Sequence, residues 1–192
     1  MLAATGTAHA QYTWTQWTTA SGGNGKWYAL TTGAVEFQDY VTEAVSAGGY
    51  ATSVQSAAEN AFLFGTFTTG AVNTPALWIG FARVGTNYAD PCAGGPTPFA
   101  WVNGDPILYT NWNPGEPNFS SCDNIALFNN NAAAGWNDVP TVSGAFGTIR
   151  AQGIIRRDTD PNAPVTSTPE PGALALVATG LLAVVPLARR RR

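Results

Sequence analysis

The sequence predicts an α+β domain, in which two helices accompany short strands and a long structured loop. Two segments with helical spacing follow one another in the first third of the chain, and segments rich in aromatic and β-branched residues lie on both sides of them. The stretch from Gly85 to Val139 is dominated by Gly, Pro and Asn. Loops of this length inside a compact domain are functional or disordered, and the aromatic residues of this one indicate that it is folded and functional.

The individual elements are predicted in chain order from local patterns. Residues 35–49 have helical spacing that ends at Gly48, and residues 56–67 form a second helix, in which Ser56 and Glu59 have the S-x-x-E spacing of a capping box. The strand predictions rest on aromatic, apolar and alternating patterns. They are the segments KWYALTT (26–32), YATSV (50–54), ALWIGFARV (76–84) and the closing GAFGTIRAQGIIR (144–156).

Composition excludes a nucleic-acid-binding surface. Hydrophobic residues make up 45% of the chain, which indicates a folded core. Four of the nine basic residues form the cluster Arg189–Arg192. Residues 1–168 contain five basic and eleven acidic residues, a net charge of −6, which suits cations better than phosphates.

The N-terminal residues 1–10 are interpreted as the remnant of a truncated signal peptide. Ala8 and Ala10 have the A-x-A arrangement of a signal-peptidase site, although a charged n-region is missing and the apolar part is short. An ordinary frayed terminus is the alternative. Near the other end, Pro, Asp and Thr in residues 158–168 predict a linker.

The C-terminal segment 169–192 combines three features. Pro169-Glu170-Pro171 precede a 16-residue apolar run, which the terminal arginines follow. This order resembles the PEP-CTERM sorting signal of Gram-negative bacteria. The resemblance implies export, transient anchoring in the inner membrane through the tail alone, processing by an exosortase-type enzyme, and release to the cell surface or extracellular matrix. A plain C-terminal membrane anchor is the alternative.

The two cysteines, Cys92 and Cys122, suit an exported protein with one possible disulfide, although two free thiols are also compatible with the sequence. A zinc site is not expected. The single histidine, His9, lies in the segment that a signal peptidase would remove.

Oxygen-bearing side chains are concentrated in the second half of the long loop. Glu116 and Asn118 flank Pro117, and Asn137 and Asp138 follow Trp136. Calcium takes six to eight hard oxygen ligands from carboxylates, amides, backbone carbonyls and water. Residues at i and i+2 of an extended backbone point the same way, so that Glu116 and Asn118 can face one ion.

These motifs resemble the C-type lectin-like domain. The matching segments, spread over residues 24–157 within a domain predicted to span 11–157, are GKWYAL, GGYATS, SAAENAFLF, WIGF, FAWVNG, TNWNPGEPN, GWNDVP and IIR. The resemblance implies an α+β fold with two helices flanking small antiparallel sheets. It also implies a cis peptide bond at Pro117 and calcium-dependent binding of mannose-, glucose- or fucose-like diols.

The resemblance assigns calcium to Glu116, Asn118, Asn137 and Asp138, and the same four residues to the sugar. Cys122 stands where the family usually has a glutamate ligand, so the neighbouring Asp123 is expected to replace it as a metal ligand, and a Cys92–Cys122 disulfide would fix this part of the loop.

Three alternatives compete with a calcium-dependent lectin. The Asn and Pro residues are compatible with an ordinary surface loop. The fold can also persist without the ion, as a structural or protein-adhesion module. Glu116, Asp123 and Asp138 resemble the paired acids of a glycosidase, but no separate cleft and no nucleophile elbow is indicated, so we do not expect an enzyme. The tryptophans are expected to be core and loop anchors rather than sugar platforms.

Overall fold

A computed structural model describes most of the chain between Tyr12 and Ala163. The predictions for the N-terminal remnant, for His9 and for the sorting signal fall on residues outside the described part. None of the described helices is long and apolar enough to cross a bilayer. The described residues are 12–68, 76–85, 90, 92, 95–128, 134–140, 142–143 and 147–163.

The described residues contain two α-helices and ten strands, which lie in one compact unit that ends at Asn162. The helices are α1 (Phe37–Ser46) and α2 (Ala57–Phe67). The strands are β1 (Thr15–Gln16), β2 (Trp27–Leu30), β3 (Tyr50–Ala51), β4 (Leu77–Arg83), β5 (Phe99–Trp101), β6 (Ile125–Phe128), β7 (Trp136–Val139), β8 (Val142–Ser143), β9 (Gly147–Thr148) and β10 (Gln152–Arg157).

Eight of these strands form one mixed sheet. Its order is β1-β2-β10-β4-β6-β7, with β3 added to β10 and β5 added to β4, while β8 and β9 form a separate hairpin. β10 and β4 are parallel, and the other pairs among the described strands are antiparallel. The predicted α+β class with two helices is confirmed. The small antiparallel sheets that were expected are joined into one mixed sheet by the parallel pairing of β10 with β4. Local sequence patterns do not reveal that pairing.

Helix α1 covers one face of the sheet. Phe37, Tyr40 and Ala44 occupy the i, i+3 and i+7 positions of one stripe and are buried. The Tyr40 hydroxyl donates to the carbonyl of Ile154 in β10 at 2.6 Å and accepts from the backbone N–H of Thr52. Gly48 follows the helix with φ +73°, a conformation that glycine adopts without strain.

Helix α2 begins as the sequence predicts, but only half of the capping box forms. The Ser56 hydroxyl accepts from the backbone N–H of Glu59 at 3.1 Å. The Glu59 carboxylate, instead of returning to Ser56, accepts from the backbone N–H of Gln55 and from the Tyr28 hydroxyl. Glu59 is therefore a buried link between α2 and β2. Burial of Tyr28 and, to a smaller extent, the nearby charge of Glu59 raise the pKa of Tyr28.

Strand β4 contributes to both hydrophobic clusters of the domain. Trp78 belongs to the cluster that contains the buried side chains of α1. Ile79 and Phe81 belong to the other cluster, which includes Leu63 of α2 and Trp136. Every residue of β4 except Arg83 is buried, which explains why the strand reads as a continuous apolar run. Burying each large apolar side chain contributes about 1.5–3 kcal/mol, so this strand organises the core.

An ion pair connects the last strand to the loop after β5. Arg156 is buried, and its Nη1 donates to Asp105 Oδ2 and to the Ser53 hydroxyl, each at 2.6 Å. Its Nε lies 3.1 Å from Asp158 Oδ1. The guanidinium therefore fixes the segment that follows β5 to β10.

We expect Asp105→Asn to lower the free energy of unfolding by about 2 kcal/mol at neutral pH, because buried Arg156 loses a charged partner. Burial raises the pKa of Asp105, but hydrogen bonds from Arg156 and Ser53 and the positive charge of Arg156 lower it by more. The pKa of Asp105 therefore lies below the usual 3.8. Such a carboxylate stabilises the fold above its unfolded pKa and stops doing so as the pH falls through its folded pKa.

Urea unfolding of the wild type, Asp105→Asn and the exposed-site control Asp160→Asn tests this expectation. The wild-type advantage over Asp105→Asn should be full at neutral pH and shrink in acid, as the pH falls through the folded pKa of Asp105 below its usual 3.8. An advantage that is as large in acid as at neutral pH would contradict the assignment.

Candidate functional site

The long loop is built around aromatic side chains. Within residues 85–139 the structure contains β5, β6 and β7, which periodicity alone did not separate. Trp136 is fully buried, and its ring lies 5.8–5.9 Å from several others. Those partners are Phe81, Trp101, Tyr109 and Trp112. The prediction that the tryptophans anchor core and loop is therefore confirmed.

Asn60 on α2 holds this aromatic cluster in place. Its Oδ1 accepts from Trp136 Nε1 at 2.8 Å, and its Nδ2 donates to the carbonyl of Ala134 at 3.1 Å. The same carbonyl accepts from Asn111 Nδ2 at 2.8 Å. No local pattern indicates this role, since Asn60 lies 76 residues from Trp136 and resembles any polar helix residue.

The two predicted motifs meet at the carboxylate of Asp138. The Glu116–Pro117 peptide bond is cis, as the resemblance implied. Asp138 Oδ1 accepts from the backbone N–H of Asn118 at 3.1 Å, and Oδ2 accepts from that of Phe119 at 3.3 Å. Asp138 is 1% exposed, so its role toward the loop is that of a buried hydrogen-bond acceptor.

The two site asparagines make local hydrogen bonds. Asn118 Oδ1 accepts from the backbone N–H of Ser120 at 2.7 Å. Asn137 Nδ2 donates to the backbone carbonyl of Asp138 at 2.9 Å. Asn118 is exposed and Asn137 is half-buried, so both amides lie at the edge of the domain, where a ligand has access.

Asp123 lies on the inner side of the same loop. It is buried, and its Oδ2 accepts from the Ser120 hydroxyl at 3.1 Å. Burial raises its pKa, and the charge of Asp138 raises it further. The neighbouring Cys122 forms a disulfide with Cys92, which settles the alternative between a bridge and two free thiols. The disulfide ties this turn to the segment that follows β4.

Arg83, which sequence reasoning did not select, lies behind the site at the end of β4. Its Nη2 is 3.2 Å from Asp138 Oδ2, and the two side chains are 9% and 0% exposed. The position of Arg83 in the sequence was an available signal for such a role, because a cation at the end of a buried apolar strand requires a partner.

Glu116 is the site residue with unused acceptor capacity. Its Oε2 is buried and has no hydrogen-bond partner within the described part of the chain. Burial raises the pKa of Glu116, and the nearby carboxylates of Asp138 and Asp123 raise it further. Three carboxylates with one guanidinium leave an excess of negative charge, so this corner favours a proton or a cation.

The donor chemistry suits calcium, with one restriction. Across the residues that the structure describes, no group of three or more Asp, Glu, His or Cys side chains is placed to hold a metal ion. A calcium ion at this edge would therefore take amide or backbone oxygens in addition to carboxylates, as in the set Glu116, Asn118, Asn137 and Asp138. The orphaned Glu116 oxygen fits that role.

One family model matches the chain. Residues 167–192 match the PEP-CTERM protein-sorting motif, which indicates export and exosortase-dependent anchoring of the C-terminus and confirms the interpretation of the tail. A search among curated proteins returned no match.

Solved structures share the fold of this chain. The C-type lectin CEL-I from Cucumaria echinata is 22% identical with a TM-score of 0.55, covering 68% of this chain and 89% of its own. The cow C-type carbohydrate-recognition domain of CD23, solved in the presence of a GlcNAc2Man3 oligosaccharide, is 22% identical with a TM-score of 0.54, covering 79% and 95%.

A calcium-independent type II antifreeze protein is also similar, with 18% identity, a TM-score of 0.54 and coverage of 77% and 92%. The domain thus has the C-type lectin fold, whose neighbours are binding domains rather than enzymes. At these identities the likeness establishes the fold and leaves the ligand open.

We expect Asn60→Ala to destabilise the domain by about 2–4 kcal/mol, because it leaves a buried indole N–H and a buried carbonyl with fewer partners. Urea unfolding followed by tryptophan fluorescence measures the loss. Gln38→Ala, at an exposed amide of α1, is the matched control and should change stability by less than about 0.5 kcal/mol. Equal effects of the two substitutions would show that Asn60 does not hold the cluster.

Proposed function

We propose that this protein is an exported lectin that binds carbohydrate in a calcium-dependent manner at the edge formed by the Glu116–Asn118 loop and β7. The metal and sugar ligands are Glu116, Asn118, Asn137 and Asp138, with Asp123 as an additional metal ligand. The observation that carries the proposal is the buried Glu116 oxygen without a partner, located beside the Asp138 and Asp123 carboxylates.

The side chains at this edge complement the hydroxyls of a sugar. When bound, calcium supplies a hard cation that takes hydroxyl oxygens as ligands. The Glu116 carboxylate can only accept hydrogen bonds, whereas the amides of Asn118 and Asn137 can donate them. A vicinal diol therefore finds donors and an acceptor at one place, and each of its hydroxyl groups can be satisfied.

The order Glu-Pro-Asn favours mannose-, glucose- or fucose-like diols over galactose, following the C-type lectin resemblance. A relative with this fold, the CD23 domain, was solved in the presence of a mannose-containing oligosaccharide. Glycans or an extracellular polysaccharide are accordingly the proposed partners.

The proposed organisation is a binding domain over residues 11–157, a linker over 158–168 and a processed tail over 169–192. The sorting motif supports export, and we extend it to processing by an exosortase-type enzyme and display at the cell surface or in the matrix. Binding without catalysis is proposed for the whole chain.

A metal-free structural or protein-adhesion module is the second candidate. The observation that favours it is the pairing of Asp138 with Arg83, which already compensates one of the proposed calcium ligands. A neighbour with the same fold is a calcium-independent antifreeze protein.

Calcium should stabilise the full-length wild-type chain by about 1.4 kcal/mol at a concentration ten times the Kd, since the ion binds the folded state alone. Glu116→Gln should abolish this gain without loss of stability in EDTA, because it removes a negative charge that lies beside the carboxylates of Asp138 and Asp123. Thermal unfolding in calcium and in EDTA measures both effects, with Asp39→Asn on α1 as the exposed-acid control. Identical melting temperatures of the wild type in millimolar calcium and in EDTA would favour the metal-free candidate.

The double substitution Glu116→Gln and Asn118→Asp should shift the preference of the lectin from mannose toward galactose, because the positions of the donor and the acceptor are exchanged. Retention of wild type and variant on mannose and galactose resins, with elution by EDTA, measures the shift. Unchanged selectivity, or retention that EDTA does not affect, would count against these residues contacting sugar through calcium.

A further inference from the structure

The guanidinium of Arg83 joins three segments that converge on the proposed ligand site. Nε donates to the carbonyl of Asp123 at 2.8 Å, Nη1 donates to the carbonyl of Thr97 at 2.8 Å, and Nη2 donates to Asp138 Oδ2 at 3.2 Å. Its acceptors thus stand before β5, before β6 and on β7. A planar fork with fixed donor directions is suited to this bridging, whereas a lysine ammonium is a single point charge.

Two aromatic rings enclose the same guanidinium. Its central carbon lies 4.5 Å from the centroid of Phe99 and 5.1 Å from that of Phe119. Phe119 belongs to the Glu-Pro-Asn loop and has φ +54°, an unusual backbone conformation for a side chain of this size. Cation–π contact therefore adds to the hydrogen bonds that retain this turn.

The contacts form a continuous chain from β4 to the ligand loop. Arg83 orients the Asp138 carboxylate, and that carboxylate accepts from the N–H groups of Asn118 and Phe119. A carboxylate at 1% exposure requires a compensating cation, and Arg83 supplies the charge from within the chain. The turn that carries Asn118 is thereby connected to the core without any added ion.

We infer that Arg83 is a positioning residue that holds the Glu116–Phe119 turn in its binding conformation in the absence of metal, so that calcium is needed to contact the glycan and not to order the loop. The inference deepens the proposed function and rests on it, since the turn concerned is the proposed glycan site. Its central test needs no sugar.

Amide hydrogen exchange of the full-length chain, followed residue by residue by NMR, tests the inference. In the wild type the N–H groups of Asn118 and Phe119 should be protected equally, within about twofold, in EDTA and in calcium. A rise in their exchange rates of about tenfold or more on addition of EDTA would overturn the inference, because the loop would then depend on the ion.

Substitution of Arg83 should create the metal dependence that the wild type lacks. In Arg83→Met, exchange at Asn118 and Phe119 should rise by about tenfold or more in EDTA, and calcium should restore protection. Arg83→Lys should lose protection to a similar extent, since one ammonium cannot bridge three acceptors. Arg150→Gln, at an exposed arginine, is the matched control. Full protection in Arg83→Met in EDTA would overturn the inference.

The outcomes separate this inference from the proposed function. If wild-type protection ignores EDTA and Arg83→Met loses it, but calcium restores nothing and no sugar is retained, Arg83 holds the loop and the lectin proposal fails. If sugar binding requires calcium and wild-type protection is lost in EDTA, the lectin proposal stands and the inference fails. Should Arg83→Met not fold, as judged by near-UV circular dichroism, the wild-type and Arg83→Lys measurements decide.

Discussion

The packing of Trp136 is the constraint on which both the core and the proposed ligand edge, formed by Glu116–Asn118 and β7, depend. Its indole is fully buried among other aromatic rings, and its N–H donates to Asn60 of α2. The backbone of the same residue pairs with the stretch that leads to Glu116. Asn137 and Asp138 follow directly, so the geometry of the polar edge is inherited from a close-packed apolar interior.

The ligand edge combines two electrostatic arrangements within a few residues. Asp138 accepts from two backbone N–H groups and pairs with Arg83, so its carboxylate already supports the turn that carries Asn118. Glu116 retains an unpartnered buried oxygen, which makes it the group with the greatest need for an external partner. A rigid support beside an unsatisfied carboxylate is what a preorganised binding site requires, because ligand binding then involves little reordering of the loop.

The sequence predicted the elements and motifs that rest on local patterns. Both helices, β2, β4 and β10 follow from periodicity and composition, and the Glu-Pro-Asn and Trp-Asn-Asp motifs mark the ligand edge. The partners of Arg83 and Asn60 could not be predicted, because they lie 55 and 76 residues away and no spacing rule connects them. For the same reason Glu59, assigned to a capping box, binds Tyr28 across the fold. Side-chain partnership at long range is a property of topology.

The parallel pairing of β10 with β4 has a mechanical consequence. If a glycan binds at β7 as proposed, a pull on the chain after Arg157 is transmitted through the sheet from β10 to β4, and then to β6 and β7. The β10–β4 step has two registered residue pairs, whereas β6 and β7 share four. Helix α1 and the residue Val35 that precedes it reinforce that step, since the Tyr40 hydroxyl donates to β10 and Trp78 of β4 donates to the carbonyl of Val35. The first helix, remote from the proposed site, thus helps to hold the two parts of the sheet together.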